Sequence, residues 1–212
     1  MSPSLPARAC ALAGVGVLHF ASYFAASRIA LARGASALWD AAIPLDAAVP
    51  YLPWTWPLYW LCYPFAALGG AAAVLPLPGR DFRRAIAAVA GSILVGACIH
   101  ATFPASRPEP HPLHPGQALI HWSSLQVPLN TLPSMHTVFA VLIVAFAVVA
   151  WTPSLARAAF LVPAILTVVS TLTLKEHVIL DLVAGLALGG CAAAWWVRGR
   201  HRPGREEQGG VR

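Results

Sequence analysis

Charge is what this sequence has least of. Only 10% of its 212 residues are Asp, Glu, Lys or Arg, where a soluble domain of this length carries roughly a quarter. With 58% hydrophobic residues and a mean hydropathy of +0.67, that shortage excludes a water-soluble globular domain and makes the chain an integral membrane protein. Cysteine is scarce as well, and Cys10, Cys62, Cys98 and Cys191 all lie in apolar runs, where a thiol behaves as a small hydrophobe. They supply no disulfide framework. No internal repeat is visible, which argues against a transporter built from inverted halves. The formal charge of +6 comes from arginines in short loops and a tail rather than on one face, so nucleic acid is not an expected partner. The length leaves room for a single domain, residues 1–212.

Long apolar runs are abundant. A helix needs about 20 mainly apolar residues to cross a bilayer, and six stretches qualify, near 10–30, 57–77, 85–103, 134–152, 155–174 and 177–197. The expected fold is therefore all-α, a bundle of six transmembrane helices, and the polar motifs that could form a catalytic core fall within about 100–197. The first run resembles a signal peptide, but its apolar part is longer than the usual h-region of roughly 7–15 residues, so a retained helix is expected. Trp151 and Trp195-Trp196 mark the interfacial belts, and Val49-Pro-Tyr-Leu-Pro-Trp-Thr-Trp56 reads as an interfacial entrance to the second span.

Orientation follows from the cations. With the N-terminus inside, the inner segments hold Arg8, Arg80, Arg83, Arg84, Arg157, Arg198, Arg200, Arg202, Arg205 and Arg212, and the outer ones hold Arg28, Arg33, Arg107 and Lys175. Ten against four obeys the positive-inside rule, and the opposite orientation inverts it. The 104–133 segment and the starts of the fourth and sixth spans then open on one external side. The expected location is a membrane of the bacterial inner-membrane type, with the site facing the periplasm or the exterior.

The polar residues at those openings carry the chemistry. His177 and Asp181 are four apart, one helical turn on a shared face. The carboxylate can fix the imidazole tautomer and leave the other nitrogen free as a nucleophile; the plainer reading is a polar pair capping a helix at the interface. Gly185 and Gly189 continue that stripe and allow a second helix to approach closely. His136 lies in the first turn of the fourth span behind Pro133 and Ser134, with proline expected at the first helical position. A helix N-terminus is an anion site, Ser134 adds a hydroxyl donor, and His136 is placed as acid and base. The alternative is a histidine that only faces water. Arg107 matches phosphate oxygens bidentately. Lys175 binds the same phosphate or meets lipid headgroups, two readings the sequence leaves equal. Pro110, Pro112 and Pro115 stiffen the segment holding His111, His114 and His121, which favours a solvated loop or a substrate rim over a metal site. The 104–133 segment is longer than the roughly 12–15 residues of ordinary connections, as a cap over a site would be. His19 reads as a histidine between helices.

Arg107-Pro108, then Pro133-Ser134-Met135-His136, then His177-x-x-x-Asp181, in that order within six spans, resemble the type-2 phosphatidic acid phosphatase superfamily. Its three motifs are a lysine seven residues before Arg-Pro, a Pro-Ser-Gly-His, and a Ser-Arg followed by His-x-x-x-Asp. The resemblance implies that His177 is a nucleophile forming a phosphohistidine, that Asp181 orients it, and that His136 protonates the leaving group. It also implies phosphate binding by Arg107 and Ser134, with no metal or other cofactor. The sequence departs from the pattern at His100, where the lysine is expected, at Met135 in place of glycine, and at Thr171 in place of the third motif's arginine. These departures, with Asn130-x-x-Pro133-Ser134-x-His136, Lys175-Glu176-His177 and Ile43-Pro-Leu-Asp46, resemble the branch containing inositol phosphorylceramide synthases.

Three functions compete at this stage. One is hydrolysis of a lipid phosphate through His177. A second passes the phospho-headgroup from the same site to another alcohol; the missing cations and the branch resemblance favour it slightly, the small size does not, and hydrolysis is the preferred reading. The third is a transporter or metal-binding protein in which His136, His177 and Asp181 hold an ion, a known ligand set. The expected partners are a lipid phosphate and membrane lipids; the sequence names neither the lipid nor an oligomeric state.

Overall fold

In the computed structural model, residues 2–34, 38–106, 115, 118, 131–151 and 153–200 are described. Arg107, most of the 104–133 segment with its three histidines, Asn130 and the tail beyond 200 lie outside the described residues.

The described chain is helical. We number the long helical segments among the described residues α1 (Leu5–Ala32), α2 (Pro53–Val74), α3 (Gly79–Thr102), α4 (Met135–Ala150), α5 (Ser154–Thr173) and α6 (Ile179–Arg200). Five of these are long and apolar enough to cross a membrane; α4 is apolar but shorter. Its 16 residues rise about 24 Å, less than a hydrocarbon layer of about 30 Å. The short helix is also the central one. Val138, Leu142, Phe146 and Ala147 are fully buried against α2, α3, α5 and α6. A helix enclosed by protein need not match the lipid thickness itself.

The second span is not one regular helix. A 3₁₀ turn at Pro53–Thr55 leads into α-helix at Trp56–Trp60 and Cys62–Pro64, a π turn at Phe65–Gly69 and α-helix again at Gly70–Val74. Pro57 and Pro64 each lack an N–H and crowd the preceding turn, which breaks the ladder. Upstream, Pro44–Ala48 forms a separate 3₁₀ turn. Together residues 43–55 make a strap lying before the second span.

The bundle has two chemically distinct ends. At one, the Arg8 guanidinium donates to the carbonyls of Leu75 and Leu77 at 2.6 and 2.7 Å, and Arg200 Nε meets Asp81 Oδ2 at 2.9 Å. Trp196, fully buried, donates its indole N–H to Asp81 O at 3.0 Å and packs edge-on to Phe146. Arg84 and Arg80 donate to carbonyls of Trp195 and Gly199 at the end of α6. At the other end lie the C-terminus of α3, the start of α4, the α5–α6 turn and the strap. Here Trp39 bridges to Ala105 in the parallel sense, Trp39 N donating to Pro104 O and Ser106 N to Trp39 O. The polar motifs of the sequence gather at this second end.

Gly185 and Gly189 bring α6 against α4. A Cβ on Gly185 would stand 2.7 Å from Ser134 O and 2.8 Å from Thr137 Cβ; on Gly189, 3.0 Å from Val141 Cβ. Only hydrogen fits at Gly185, so the glycine stripe sets the distance between α4, which carries His136, and α6, which His177 precedes.

Candidate active site

His177 stands in the turn between α5 and α6, not on a helix. Helix α5 ends in a Schellman motif: Lys175 N donates to Leu172 O and Glu176 N to Thr171 O, each at 3.0 Å. The left-handed position of that motif, normally glycine, is Lys175 with φ of 59°. His177 N also donates to Thr171 O at 3.1 Å. Thr171, which replaces an arginine of the third motif, therefore serves the turn through its carbonyl. Its own hydroxyl is turned back to Val168 O at 2.7 Å.

Helix α6 then starts with Asp181 as a cap. Its Oδ2 accepts from Val178 N at 3.1 Å, as an acidic third residue does in a capping box, and from His177 Nδ1 at 3.1 Å. The four-residue spacing of His177 and Asp181 thus produces a contact, with the histidine just outside the helix. Asp181 is fully buried, and its Oδ1 has no partner among the described residues. Its carbonyl accepts from Ser134 N at 3.0 Å, which joins the start of α6 to the start of α4.

Ser134, rather than Pro133, begins α4. It is the N-cap of a helix that starts at Met135, and its Oγ accepts from Thr137 N at 3.4 Å. Pro133 lies one residue further out, after a cis peptide bond, where its missing N–H still costs nothing. Its carbonyl meets His100 Nε2 at 3.2 Å. His100 occupies the first motif's lysine position and here, buried on α3, supports the turn that leads to His136. Met135 fills the space opposite Gly96, where a Cβ would come within 2.7 Å of the methionine sulfur. The side chain gained at Met135 is matched by one absent from Gly96. His19, on α1, packs its ring edge-on to Phe139 at 5.0 Å.

The two histidines meet. His136 Nδ1 lies 3.2 Å from His177 Nε2, with the rings at 71°, and Tyr59 covers His136 at a centroid distance of 5.2 Å. A carboxylate can only accept, so His177 Nδ1 donates to Asp181 and Nε2 is left with its lone pair. His136 Nδ1 then carries the proton that points at it. The result is a polarised row from Asp181 through His177 to His136. It does not converge on a metal: the two ring nitrogens of His177 face opposite ways, Asp181 behind and His136 in front. Among the described residues no three His, Cys, Asp or Glu side chains form a metal-holding group.

Lys175 extends away from this row. Its ammonium donates to the carbonyls of Asp46 and Val49 at 2.9 and 2.6 Å. Asp46 was legible in the sequence only as part of the strap. Its carboxylate accepts from Ile43 N at 2.8 Å and, across the chain, from Ile179 N at 2.8 Å. The local signal was Ile43-Pro-Leu-Asp46, an acid placed to cap a proline-started turn.

No curated protein and no solved structure matches the chain. A family model does: that of the PAP2 superfamily matches residues 83–205, a stretch that begins in α3, runs through the row of Asp181, His177 and His136, and covers more than half of the sequence. The chain belongs to the PAP2 superfamily.

Proposed function

We propose that this protein is a membrane phosphatase that cleaves a lipid phosphate through a phosphohistidine on His177, at a site facing the outside of the membrane. Members of the superfamily are usually phosphatases or phosphotransferases. The observation that carries the reading is the row Asp181–His177–His136, with bonds of 3.1 and 3.2 Å. In the first step the Nε2 lone pair of His177 bonds to phosphorus as the ester P–O bond breaks. The departing oxygen takes the Nδ1 proton of His136. The imidazole, now carrying phosphorus on Nε2, keeps its Nδ1 proton, and the charge it gains is offset by Asp181. In the second step His136, now a base, takes a proton from water as the oxygen attacks phosphorus, and the P–N bond breaks. Arg107 and the Ser134 hydroxyl are assigned to the phosphate oxygens, in a site made favourable to anions by the N-terminus of α4.

Attack requires phosphorus about 3–3.5 Å from Nε2 and an ester oxygen about 2.6–3.2 Å from the acid. The nitrogens must part from 3.2 Å to roughly 6 Å as the phosphate enters. His136 is the partner free to move, since His177 is held from behind by Asp181.

The outer location is supported by the separation of the arginine-rich end from the site end. A second reading, transfer of the phosphorylated group to another alcohol, is favoured by His100, Met135 and Thr171 standing where the usual motif residues are absent. Purified protein given a panel of lipid phosphates, with and without an alcohol acceptor, distinguishes the two. Free phosphate marks hydrolysis and a new phospholipid marks transfer. Either activity should survive EDTA and be blocked by vanadate; metal-dependent solute uptake with no phosphate chemistry would reject both.

A further inference from the structure

Two polar residues of the site end take no part in that row, yet each is held by two hydrogen bonds. One is Lys175, the chain's single lysine. The other is Asp46, 129 residues earlier and on the strap. Their contacts bracket His177 symmetrically. Two residues before it, the Lys175 ammonium is bound by Asp46 O and Val49 O; two residues after it, the Ile179 amide is bound by Asp46 Oδ1. The strap adds Leu52 N to Thr173 O at 2.9 Å and the Thr55 and Thr173 hydroxyls at 2.9 Å. We propose that Asp46 and Lys175 form one latch that fixes the turn bearing the nucleophile, so that both are positioning residues for His177. This rests on the reading of His177 as nucleophile, and it gives Lys175 a task other than binding phosphate.

The backbone of Lys175 supports this reading. A φ of 59° is disfavoured for a residue with a Cβ, and glycine would close the Schellman motif without that strain. A lysine retained there is explained by its side chain. The strap offers what an ammonium needs, two carbonyls at the end of the 3₁₀ turn Pro44–Ala48: Asp46 O, which also accepts from Val49 N at 3.3 Å, and Val49 O just beyond the turn. Asp46 has a matching constraint. Its two oxygens accept from two amides, Ile43 N and Ile179 N, and an amide side chain supplies only one acceptor and sets a donor against the other N–H.

The test uses full-length protein with Lys175→Gly, Lys175→Met, Asp46→Asn and the double variant Lys175→Met/Asp46→Asn. Steady-state kinetics on p-nitrophenyl phosphate and amide hydrogen exchange across residues 174–182 are measured on each. A nucleophile displaced by about 1 Å loses about 10²-fold in rate. Each single variant should therefore lose kcat by up to about 10²-fold with KM little changed, and exchange at 177–180 should quicken. The double variant should be no worse than the poorer single one, because both break the same latch. Lys175→Gly should retain or raise the melting temperature while losing kcat, which a merely structural lysine would not do. A rise in KM and vanadate inhibition constant at Lys175 with kcat intact would make it a phosphate ligand and overturn the latch. So would multiplicative losses in the double variant, or exchange unchanged in all four. Should the wild-type protein release no phosphate, the nucleophile reading fails by itself. The exchange experiment still decides whether Asp46 and Lys175 hold the turn.

Discussion

Asp181→Asn isolates the charge of the carboxylate from its geometry. In a triad whose histidine can adopt the wrong tautomer, replacing the acid by its amide costs about 10⁴-fold. Here a second donor polices the amide. Val178 N points at the same oxygen, Oδ2, as His177 Nδ1, both at 3.1 Å. An asparagine that turned its NH₂ toward His177 would set that group against the Val178 N–H and leave the N–H unpaired, at about 1–3 kcal/mol. The asparagine oxygen is therefore held at the Oδ2 position and the tautomer is kept. Its NH₂ falls at Oδ1, which already has no partner among the described residues. What is lost is the charge on the acceptor of two hydrogen bonds, of which the one from His177 Nδ1 bears on the chemical step. Bonds to charged groups contribute about 1.5–3 kcal/mol and neutral ones about 0.5–1.5. The difference of about 1–1.5 kcal/mol corresponds to about tenfold in kcat. Asp181→Ala instead leaves two buried N–H donors without an acceptor and should lose at least about 10²-fold, with a lower melting temperature. The assay is single-turnover cleavage of p-nitrophenyl phosphate, paired with ¹⁵N shifts of His177 to read its tautomer. A fall of about 10⁴-fold in Asp181→Asn, with the proton moved to Nε2, would refute the role given to Val178.

The histidines should fail differently. His177→Ala should abolish turnover and covalent label, whereas His136→Ala should lose about 10²–10⁴-fold with a poor leaving group, recover part of the first step on p-nitrophenyl phosphate, and still carry acid-labile protein-bound phosphate after an alkaline quench; the opposite pattern of label reverses the roles. Gly185→Ala forces a Cβ to 2.7 Å from Ser134 O and should cost about 1–3 kcal/mol by overpacking together with activity. Gly96→Ala meets only the flexible Met135 thioether and should be milder in both melting temperature and kcat; equal effects would mean that helix spacing at Gly185 is not what places Ser134. In protein freed of its four cysteines, Glu109→Cys should react with an impermeant thiol reagent from outside and Arg205→Cys only from inside, and labelling of both from one side would undo the topology and the shared site.

The parts of this arrangement legible in the sequence are those that depend on period or length. Apolar runs located the helices because a membrane demands about 20 such residues, although hydropathy does not register the breaks that Pro57 and Pro64 impose on α2. The spacing of Gly185 and Gly189 predicted a close helix partner, since that contact follows from the helical repeat alone. His177 and Asp181 were legible as neighbours, but their contact arises from a capping carboxylate and a histidine just outside the helix. Ser134 was expected to follow a proline-started helix and is instead the cap, because a hydroxyl there accepts from Thr137 N while proline cannot. The Asp46 latch could not be read in advance. It joins residues 133 apart that share no period, and in each of its bonds one partner is a backbone group, which every sequence has. The fit of Met135 to Gly96 is hidden for the same reason: it is a property of a pair on two helices.

Charge in an apolar bundle is costly, and among the described residues three charged side chains at the site end are bound mainly by backbone groups. Asp46 is bound by the amides of Ile43 and Ile179, Lys175 by two carbonyls, and Asp181 by the Val178 amide and the His177 ring. Backbone dipoles solvate these groups at the level where water thins. An ion pair would do so too, but it would cancel the field that an anionic substrate must sense. Irregular backbone at membrane depth needs partners for its own N–H and C=O groups, and the strap and the α5–α6 turn supply them to each other. The same bonds that make two non-helical segments tolerable in that setting hold His177, the proposed nucleophile, between them. A change at Asp46, 131 residues before His177 in sequence, is therefore expected to register in the chemical step.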